Sequence, residues 1–419
     1  MDIHRSFSKG ILSVFYTIII LAAFSGCTAH KNTDIQNNLN LKALSTGQTA
    51  NFAQGNDYGY YETANPKRLV AGFNVLYTDY STKNKVVLCS SASCEHAGTS
   101  CTGYIQGTPL RIFTLKDKII IFSLMQENGE YFKNIISADL NGENHKILYT
   151  MNQNESEGGE YFCDNENIYF VITKPVTKDK DLLSQQFLIK LNIYTGEIKE
   201  ILNLSEKFNN YYVNVIGSYN DELIVKIIST KMIIESIKID GTSGTLAKVE
   251  LSFDNSNVTY HNQYAYFVNY DNRCFVRKNI ETGEEKTLNW HSEENFNIID
   301  SSFGNVIDEK ILFSVAEISN DNGISTRKDK LYYIDFDENK MTEIALRYTY
   351  DGMSKPVVIV AQTSDSLLVM NGIEDVVHAY PENDKGIISD IVPTPQYGIL
   401  SKNDFWQSNP NYYNISYTV

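Results

Sequence analysis

Short apolar runs and hairpin-like segments alternate along most of this chain. The clearest example begins at residues 187–192, whose side chains follow the two-residue period of a β-strand. Tyr194–Glu197 then supplies a turn containing Gly196, a residue that readily adopts positive φ, and residues 198–201 return as a second strand. This stretch therefore predicts two antiparallel strands joined by a tight connection.

The same order recurs from about residue 58 to the end of the chain. Seven segments have the composition of outer turns: Tyr80–Lys83, Leu140–Glu143, Tyr194–Glu197, Asp240–Thr242, Glu281–Glu284, Asp337–Asn339 and Glu382–Lys385. Six more apolar runs are predicted as inner strands: Lys118–Phe122, Asn167–Val171, Leu223–Ile227, Tyr264–Val268, Lys310–Ser314 and Ser366–Met370.

Seven turns predict an all-β fold made of a single β-propeller with seven blades, six or eight being the alternatives. A long β-sandwich, or two of them, is the competing architecture, but it does not explain why the order of run and hairpin recurs. A propeller has to close its ring, because an open blade leaves a strand edge unpaired. We expect the C-terminal stretch Tyr397–Val419 to complete a blade that begins near Gly59–Tyr61.

The N-terminus has the features of an export signal. A short basic region is followed by the apolar run Ile11–Phe24 and then by Ser25, Gly26 and Cys27. This segment resembles the signal of bacterial lipoproteins, in which the cysteine is acylated and becomes the first residue of the mature chain. An ordinary signal peptide with an incidental cysteine is the alternative.

These features predict four parts: a signal peptide at 1–26, lipidated Cys27 with a flexible linker at 27–57, a propeller at 58–419, and within it a cysteine-rich loop at 88–104. The lipid would hold the protein on the extracytoplasmic face of the cell membrane without spanning it. The linker is predicted from a polar composition that would bury little apolar surface.

The composition is strongly acidic. The formal net charge of the 419-residue chain is −15. A surface of this sign disfavours binding to nucleic acid or to anionic lipid headgroups, since both repel negative charge. We therefore expect no nucleic-acid partner.

The repeat does not account for one segment, in which three of the six cysteines fall close to a histidine. Cys89, Cys94, His96 and Cys101 have the spacing Cys-x4-Cys-x-His-x4-Cys. Three thiolates and an imidazole are a ligand set that zinc accepts in tetrahedral sites, so zinc is the candidate cofactor. A disulfide within the segment, or unpaired thiols, are the alternatives for an exported protein.

The two remaining cysteines, Cys163 and Cys274, lie beside strand patterns and are predicted to be small core residues.

This segment, with Gly103 and Tyr104 after it, and the C-terminal stretches Leu400–Trp406 and Asn409–Tyr412, resembles a group of uncharacterised cell-surface lipoproteins of low-GC Gram-positive bacteria. Their bodies are similar to propeller domains of unknown function. The resemblance implies an exported lipoprotein with a propeller fold. It implies no activity, substrate or catalytic residue.

Motifs for catalysis are lacking in the sequence. There is no nucleophile elbow, no His-Glu-x-x-His and no phosphate-binding loop.

One segment is similar to the start of a calcium-binding loop, with acidic or amide side chains at Asp335, Asp337 and Asn339. Lys340 replaces the glycine of such loops, so we expect a strand and turn there. Isolated histidines and the two tryptophans are expected to lie at the surface or to pack: His145, His261, His291, His378, Trp290 and Trp406.

Two classes of function remain, with no catalytic residue assigned to either. The first is a surface binding or interaction module that holds a small solute, a glycan or a peptide. The second is an extracellular hydrolase or lyase that acts on an envelope polymer. A metal or redox sensor built on the cysteine cluster is a further possibility.

Overall fold

The computed structural model describes most of the chain from Leu41 onward. The described residues are 41–44, 55–63, 72–91, 93–94, 96, 98–178, 181–246, 248–251, 258–290, 296–321, 324–381 and 387–417. The predicted signal peptide and Cys27 lie outside them, as does the predicted turn Glu382–Lys385. No helix among the described residues has the length and apolar character needed to cross a membrane.

Seven sheets of four or five mostly antiparallel strands make up the fold, which confirms the all-β, seven-bladed propeller predicted from the sequence. We number the blades in chain order. Blade 1 contains β2 (Gly59–Thr63), β3 (Gly72–Asp79), β4 (Asn84–Val87), β5 (Tyr104–Gln106) and β32 (Ser416–Tyr417); blade 2 contains β6 (Thr108–Leu115), β7 (Lys118–Glu127), β8 (Glu130–Asp139) and β9 (Lys146–Met151); blade 3 contains β1 (Lys42–Ala43), β10 (Ser156–Cys163), β11 (Asn167–Lys178), β12 (Asp181–Asn192) and β13 (Ile198–Asn203).

The remaining blades follow the same plan. Blade 4 contains β14 (Tyr212–Tyr219), β15 (Glu222–Ile228), β16 (Met232–Lys238) and β17 (Val249–Leu251); blade 5 contains β18 (Val258–His261), β19 (Tyr264–Asn269), β20 (Cys274–Asn279) and β21 (Glu285–Asn289); blade 6 contains β22 (Phe296–Ile307), β23 (Lys310–Asp321), β24 (Ile324–Asp335) and β25 (Lys340–Ile344); blade 7 contains β28 (Val358–Gln362), β29 (Ser366–Pro381), β30 (Ile387–Ser401) and β31 (Tyr413–Asn414).

A hairpin, two short α-helices and a 3-10 helix at Gly98–Ser100 complete the described chain. A hairpin of β26 (Arg347–Tyr350) and β27 (Met353–Pro356) connects blades 6 and 7. The α-helices are α1 (Leu204–Lys207) and α2 (Lys402–Trp406).

The most apolar runs form the second of the four consecutive strands of their blades, as β7, β11, β15, β19, β23 and β29, so their prediction as inner strands was wrong. The first of the four consecutive strands in neighbouring blades, such as β10, β14, β18 and β22, lie next to one another and surround the central channel. A second strand has a strand on either side and a blade over each face, so both of its faces are apolar. A first strand has one edge toward the channel and tolerates polar residues.

The hydrophobic core lies between adjacent blades. Phe113 and Phe122 of blade 2 pack against Tyr161 and Phe170 of blade 3, and all four rings are essentially inaccessible. Aromatic pairs in edge-to-face and tilted geometries contribute beyond their buried area. Similar clusters join blades 1 and 2, 4 and 5, 5 and 6, and 6 and 7.

The six predicted outer turns that fall within the described residues each join two adjacent antiparallel strands. Four of them use the same device, in which the side-chain oxygen of an Asp or Asn accepts hydrogen bonds from backbone N–H groups two and three residues later. These residues are Asp79, Asn192, Asn279 and Asp335. The recurrence of this local signal explains why the turns were visible in the sequence.

The C-terminus closes the ring, although only its last strand does so. β31 pairs with β30 inside blade 7, whereas β32 runs parallel to β4 in the blade that begins at Gly59. Tyr60 packs against the ring of Tyr397 across the junction of blades 1 and 7. The Tyr397 hydroxyl donates a 2.6 Å hydrogen bond to Glu62, which also pairs with Lys85 at 2.7 Å.

The linker was expected to bury little apolar surface, but its residues 41–44 include a short strand and bury two leucines. Residues 41–44 add β1 to the inner edge of blade 3, where Lys42 pairs with Cys163. The Leu44 amide donates to the Tyr161 carbonyl at 2.7 Å, and the Leu41 amide donates to Asp221 at 3.1 Å. Leu41 is 8% exposed and Leu44 is 4% exposed, so this short stretch is anchored in the channel.

Candidate metal centre

The cysteine-rich segment is an excursion from the outer part of blade 1. The chain leaves β4 at Leu88 and returns at Gly103, immediately before β5. Both ends bond to the same residue, since the Leu88 amide donates to the Val75 carbonyl and the Val75 amide donates to the Gly103 carbonyl, each at 2.8 Å. β4 and β5 therefore pair with successive parts of β3, and the loop projects between them.

The loop brings all four predicted ligands together. One side-chain atom from each of Cys89, Cys94, His96 and Cys101 lies within 4.8 Å of the other three. Nδ1 of His96 is 3.6 Å from Sγ of Cys101. Ligand atoms around a tetrahedral zinc with Zn–S bonds of about 2.3 Å are separated by roughly 3.8 Å, so the observed spacing suits a metal with little rearrangement.

Backbone contacts fix His96 in this arrangement. Its φ of 56° is in the left-handed region, which histidine adopts more readily than most residues. The Asn74 side chain of β3 donates a 3.0 Å hydrogen bond to the His96 carbonyl. The His96 amide is 3.3 Å from Sγ of Cys94, so the backbone at His96 also contacts a second candidate ligand.

The pKa values of two of the sulfurs are shifted in opposite directions. Burial opposes ionisation of Cys89, but hydrogen bonds at Ser91, Thr102 and the two neighbouring thiols lower its pKa to about 6. Burial is the main cause that raises the pKa of Cys101 to about 12, and the adjacent sulfurs add to the effect. Negative charge placed on one sulfur thus disfavours ionisation of the next. A bound cation removes that conflict, because a metal is coordinated by thiolates.

The other sequence candidates are dispersed. Cys163 and Cys274 are buried in the core as predicted, and all five described cysteines are free thiols. His145 is exposed, and His261 is half-buried beside the channel. His291 lies outside the described residues, and no side chain is described for His378.

The calcium-like segment is a strand end and turn, as predicted. Asp335 ends β24, and Asp337 pairs with Arg277 and Lys286 at 2.8 and 2.6 Å. Trp290 packs on Phe275, and Trp406 packs on Tyr333 and donates to Asp308. Neither tryptophan forms a free stacking surface.

The sequence matches no family model and no curated protein. Several solved structures resemble the fold. An oligogalacturonate lyase from Vibrio parahaemolyticus is 12% identical with a TM-score of 0.42, over 75% of this chain and 82% of the lyase. An acylaminoacyl peptidase from Pyrococcus horikoshii is 10% identical with a TM-score of 0.43, over 85% of this chain and 50% of the peptidase. A GH74 xyloglucanase from Xanthomonas campestris is 8% identical with a TM-score of 0.39, over 90% of this chain and 62% of the enzyme. At this level of similarity, the likeness concerns the fold and carries no activity to this chain.

Proposed function

We propose that this chain is a lipid-anchored extracytoplasmic binding or interaction module whose propeller carries a loop held by one zinc ion. The convergence of four ligand atoms within 4.8 Å is the observation that supports the metal most directly. A disulfide would employ two of the three sulfurs and leave the imidazole without a role. Zinc employs all four groups.

The zinc would be structural. Three thiolates and an imidazole complete a tetrahedral coordination shell and leave no position for a substrate or an activated water. Apart from Cys101 the ligand residues are only half-buried, so the loop has little hydrophobic core of its own. Metal binding would thus supply the free energy that orders this segment.

The ionisation of the acidic residues gives no support to a glycosidase-type pair of carboxyl groups. A glycosidase uses one carboxylic acid with a raised pKa beside a second, ionised carboxylate. In the described part of the chain, every carboxyl group with a resolved shift has a lowered pKa. These groups accept hydrogen bonds or pair with cations, as structural carboxylates do.

The location follows from the proposed lipid on Cys27. An acylated cysteine would keep the propeller on the extracytoplasmic face of the cell membrane, where it would meet a solute, a glycan or a peptide from the surroundings. The net charge of −15 disfavours nucleic acid as that partner.

The metal is tested on full-length protein purified anaerobically without chelator. We expect one zinc per chain by elemental analysis, and loss of that zinc in Cys94→Ser and in His96→Ala. Cys274→Ala is the matched control, because it also removes a thiol but lies in the core between blades 4 and 5.

Two results would contradict a zinc site in this loop. A protein without zinc whose intact mass is lower by two hydrogens would show that the loop is closed by a disulfide. Zinc retained by both loop variants would show that the metal lies elsewhere.

A further inference from the structure

The central channel contains a second place where a ligand would fit. A cavity of about 520 Å³ is bounded by the first strands of blades 3 to 7 and by β1. This volume falls within the range of small-molecule sites, roughly 300 to 1,000 Å³. The cavity is far from a plain apolar void, because amide, imidazole and charged side chains line it.

The charge of this cavity is opposite to that of the protein. Its lining includes Lys42 and Lys226 against one acidic residue, Glu160, whereas the chain as a whole has a net charge of −15. His261 also lines it, and burial lowers the pKa of its imidazole, so this side chain is neutral near pH 7 and offers one donor and one acceptor. The channel therefore attracts anions that the outer surface repels.

Lys226 is the residue that the fold does not explain. It lies on β15 opposite Asn214 of β14, and both side chains border the cavity. Within the described residues, no carboxylate lies at ion-pair distance from its Nζ, and burial lowers the pKa of its amine. A half-buried cation without a counter-charge destabilises the folded protein. Such a group is easier to understand if a ligand supplies the missing charge.

We propose that the channel binds a small hydroxy-carboxylate, such as a sugar acid, with the carboxylate on Lys226. The amides of Asn214, Asn262 and Gln362 and the imidazole of His261 would hydrogen-bond to its hydroxyl groups. This assignment rests on the proposed role as a binding module, for which it names the class of solute. It does not depend on the zinc loop, which is built from β3, β4 and β5.

The test compares glucuronate with glucose, two sugars that differ by a carboxylate, in calorimetric titrations of the full-length, zinc-loaded protein. We expect glucuronate to bind at least tenfold more tightly than glucose. Lys226→Met, which keeps the length of the side chain and removes its charge, should reduce glucuronate binding at least tenfold. Lys238→Met is the matched control, because it removes an exposed lysine from the third strand of the same blade.

A stability measurement keeps the result interpretable. Because Lys226→Met removes an unpaired half-buried charge, its melting temperature should equal or exceed that of the unaltered protein. A variant that melts lower and still binds glucuronate would assign Lys226 a structural role and overturn the proposal.

Two further results would also overturn the anion site. If glucose bound as tightly as glucuronate, the channel would not select for a carboxylate, although the proposed role as a binding module would remain. If glucuronate did not bind, the proposed class of ligand would be wrong. Binding of a neutral glycan or a peptide by the same protein would then still support the proposed role as a binding module.

Discussion

At Gly103 the backbone passes so close to Leu88 that a side chain has no room. A Cβ atom at this position would lie 2.2 Å from the Leu88 carbonyl oxygen. This approach is where the cysteine loop closes on itself, with both ends bonded to Val75. The loop can therefore shift its closing point only by breaking the pairing of β4 or β5 with β3.

Gly103→Ala should open this closure. We expect a loss of about 1–3 kcal/mol in the free energy of unfolding, because neither backbone segment can move away without losing hydrogen bonds. Zinc affinity should fall as well, since Cys89 and Cys101 flank the closing point. Denaturant unfolding and a zinc competition assay measure the two effects.

Gly158→Ala is the control for the loss of a glycine. A Cβ atom at this position would meet nothing within 4 Å. Equal effects of the two substitutions on zinc affinity would contradict the role given to Gly103.

Individual residues also show where sequence reasoning ends. The four candidate metal ligands were identifiable because they lie within thirteen residues, and a loop that short can gather its own side chains. Lys226 was not identifiable, because the sequence shows a lysine within an apolar run but does not show which groups from other blades surround it. Its environment is created by strands from four other blades, and no local pattern records that arrangement.

Among the elements, adjacent blades are joined by a few polar contacts as well as by the core. Arg277 of β20 in blade 5 reaches Asp337 in the outer turn of blade 6, with nitrogen to oxygen distances of 2.8 and 3.2 Å. The guanidinium side chain is 5% exposed and the carboxylate is 56% exposed. Hydrogen bonds from Arg277 and then from Lys286 hold the pKa of Asp337 well below its usual range.

Asp337→Asn should destabilise the protein at neutral pH by about 1–3 kcal/mol, because it leaves a buried guanidinium without its counter-charge. The pKa of Asp337 is lower in the folded state than in the unfolded state. Its stabilising contribution is therefore complete above the unfolded value of about 4 and is lost as the pH falls below it.

Melting temperatures of the unaltered protein and the variant, compared across this pH window, should converge as the pH falls. Asp351→Asn provides the control, because this residue lies in the exposed turn between β26 and β27. A difference between unaltered protein and Asp337→Asn that stays constant down to pH 2 would contradict the ion-pair explanation.

The elements that were predicted well are those specified by neighbouring residues. Asp79 and Asn192 cap their turns through hydrogen bonds to amides two and three residues away, so the turn is specified by residues adjacent in sequence. The position of a strand within its sheet is set by contacts between blades, which is why the second strands were taken for the inner ones. β1 was missed for the same reason, since its partner Cys163 is more than 100 residues away.

At the scale of the whole molecule, the closure of the ring and the cysteine-rich loop involve the same strand. β4 pairs with β32 on one side and leads directly into Leu88 and Cys89 at its end. Lys85 of the same strand lies 2.7 Å from Glu62 and over the rings of Tyr397 and Tyr417. The strand that leads into Cys89, the first candidate ligand, is thus held in place by the strand that closes the propeller.

Deletion of residues 413–419, which removes β31 and β32, should consequently affect the entire domain. We expect a single unfolding transition at lower temperature, with a loss of at least about 2 kcal/mol, because the Lys85 and Glu62 pair becomes exposed and β4 loses a partner. Zinc should also leave the deleted protein faster when a chelator is added. Deletion of residues 418–419 alone is the control, since it keeps both strands. If hydrogen exchange showed increased opening in blade 7 alone, with the melting temperature and the rate of zinc loss unchanged, the C-terminus would be a peripheral addition and the ring would close without it.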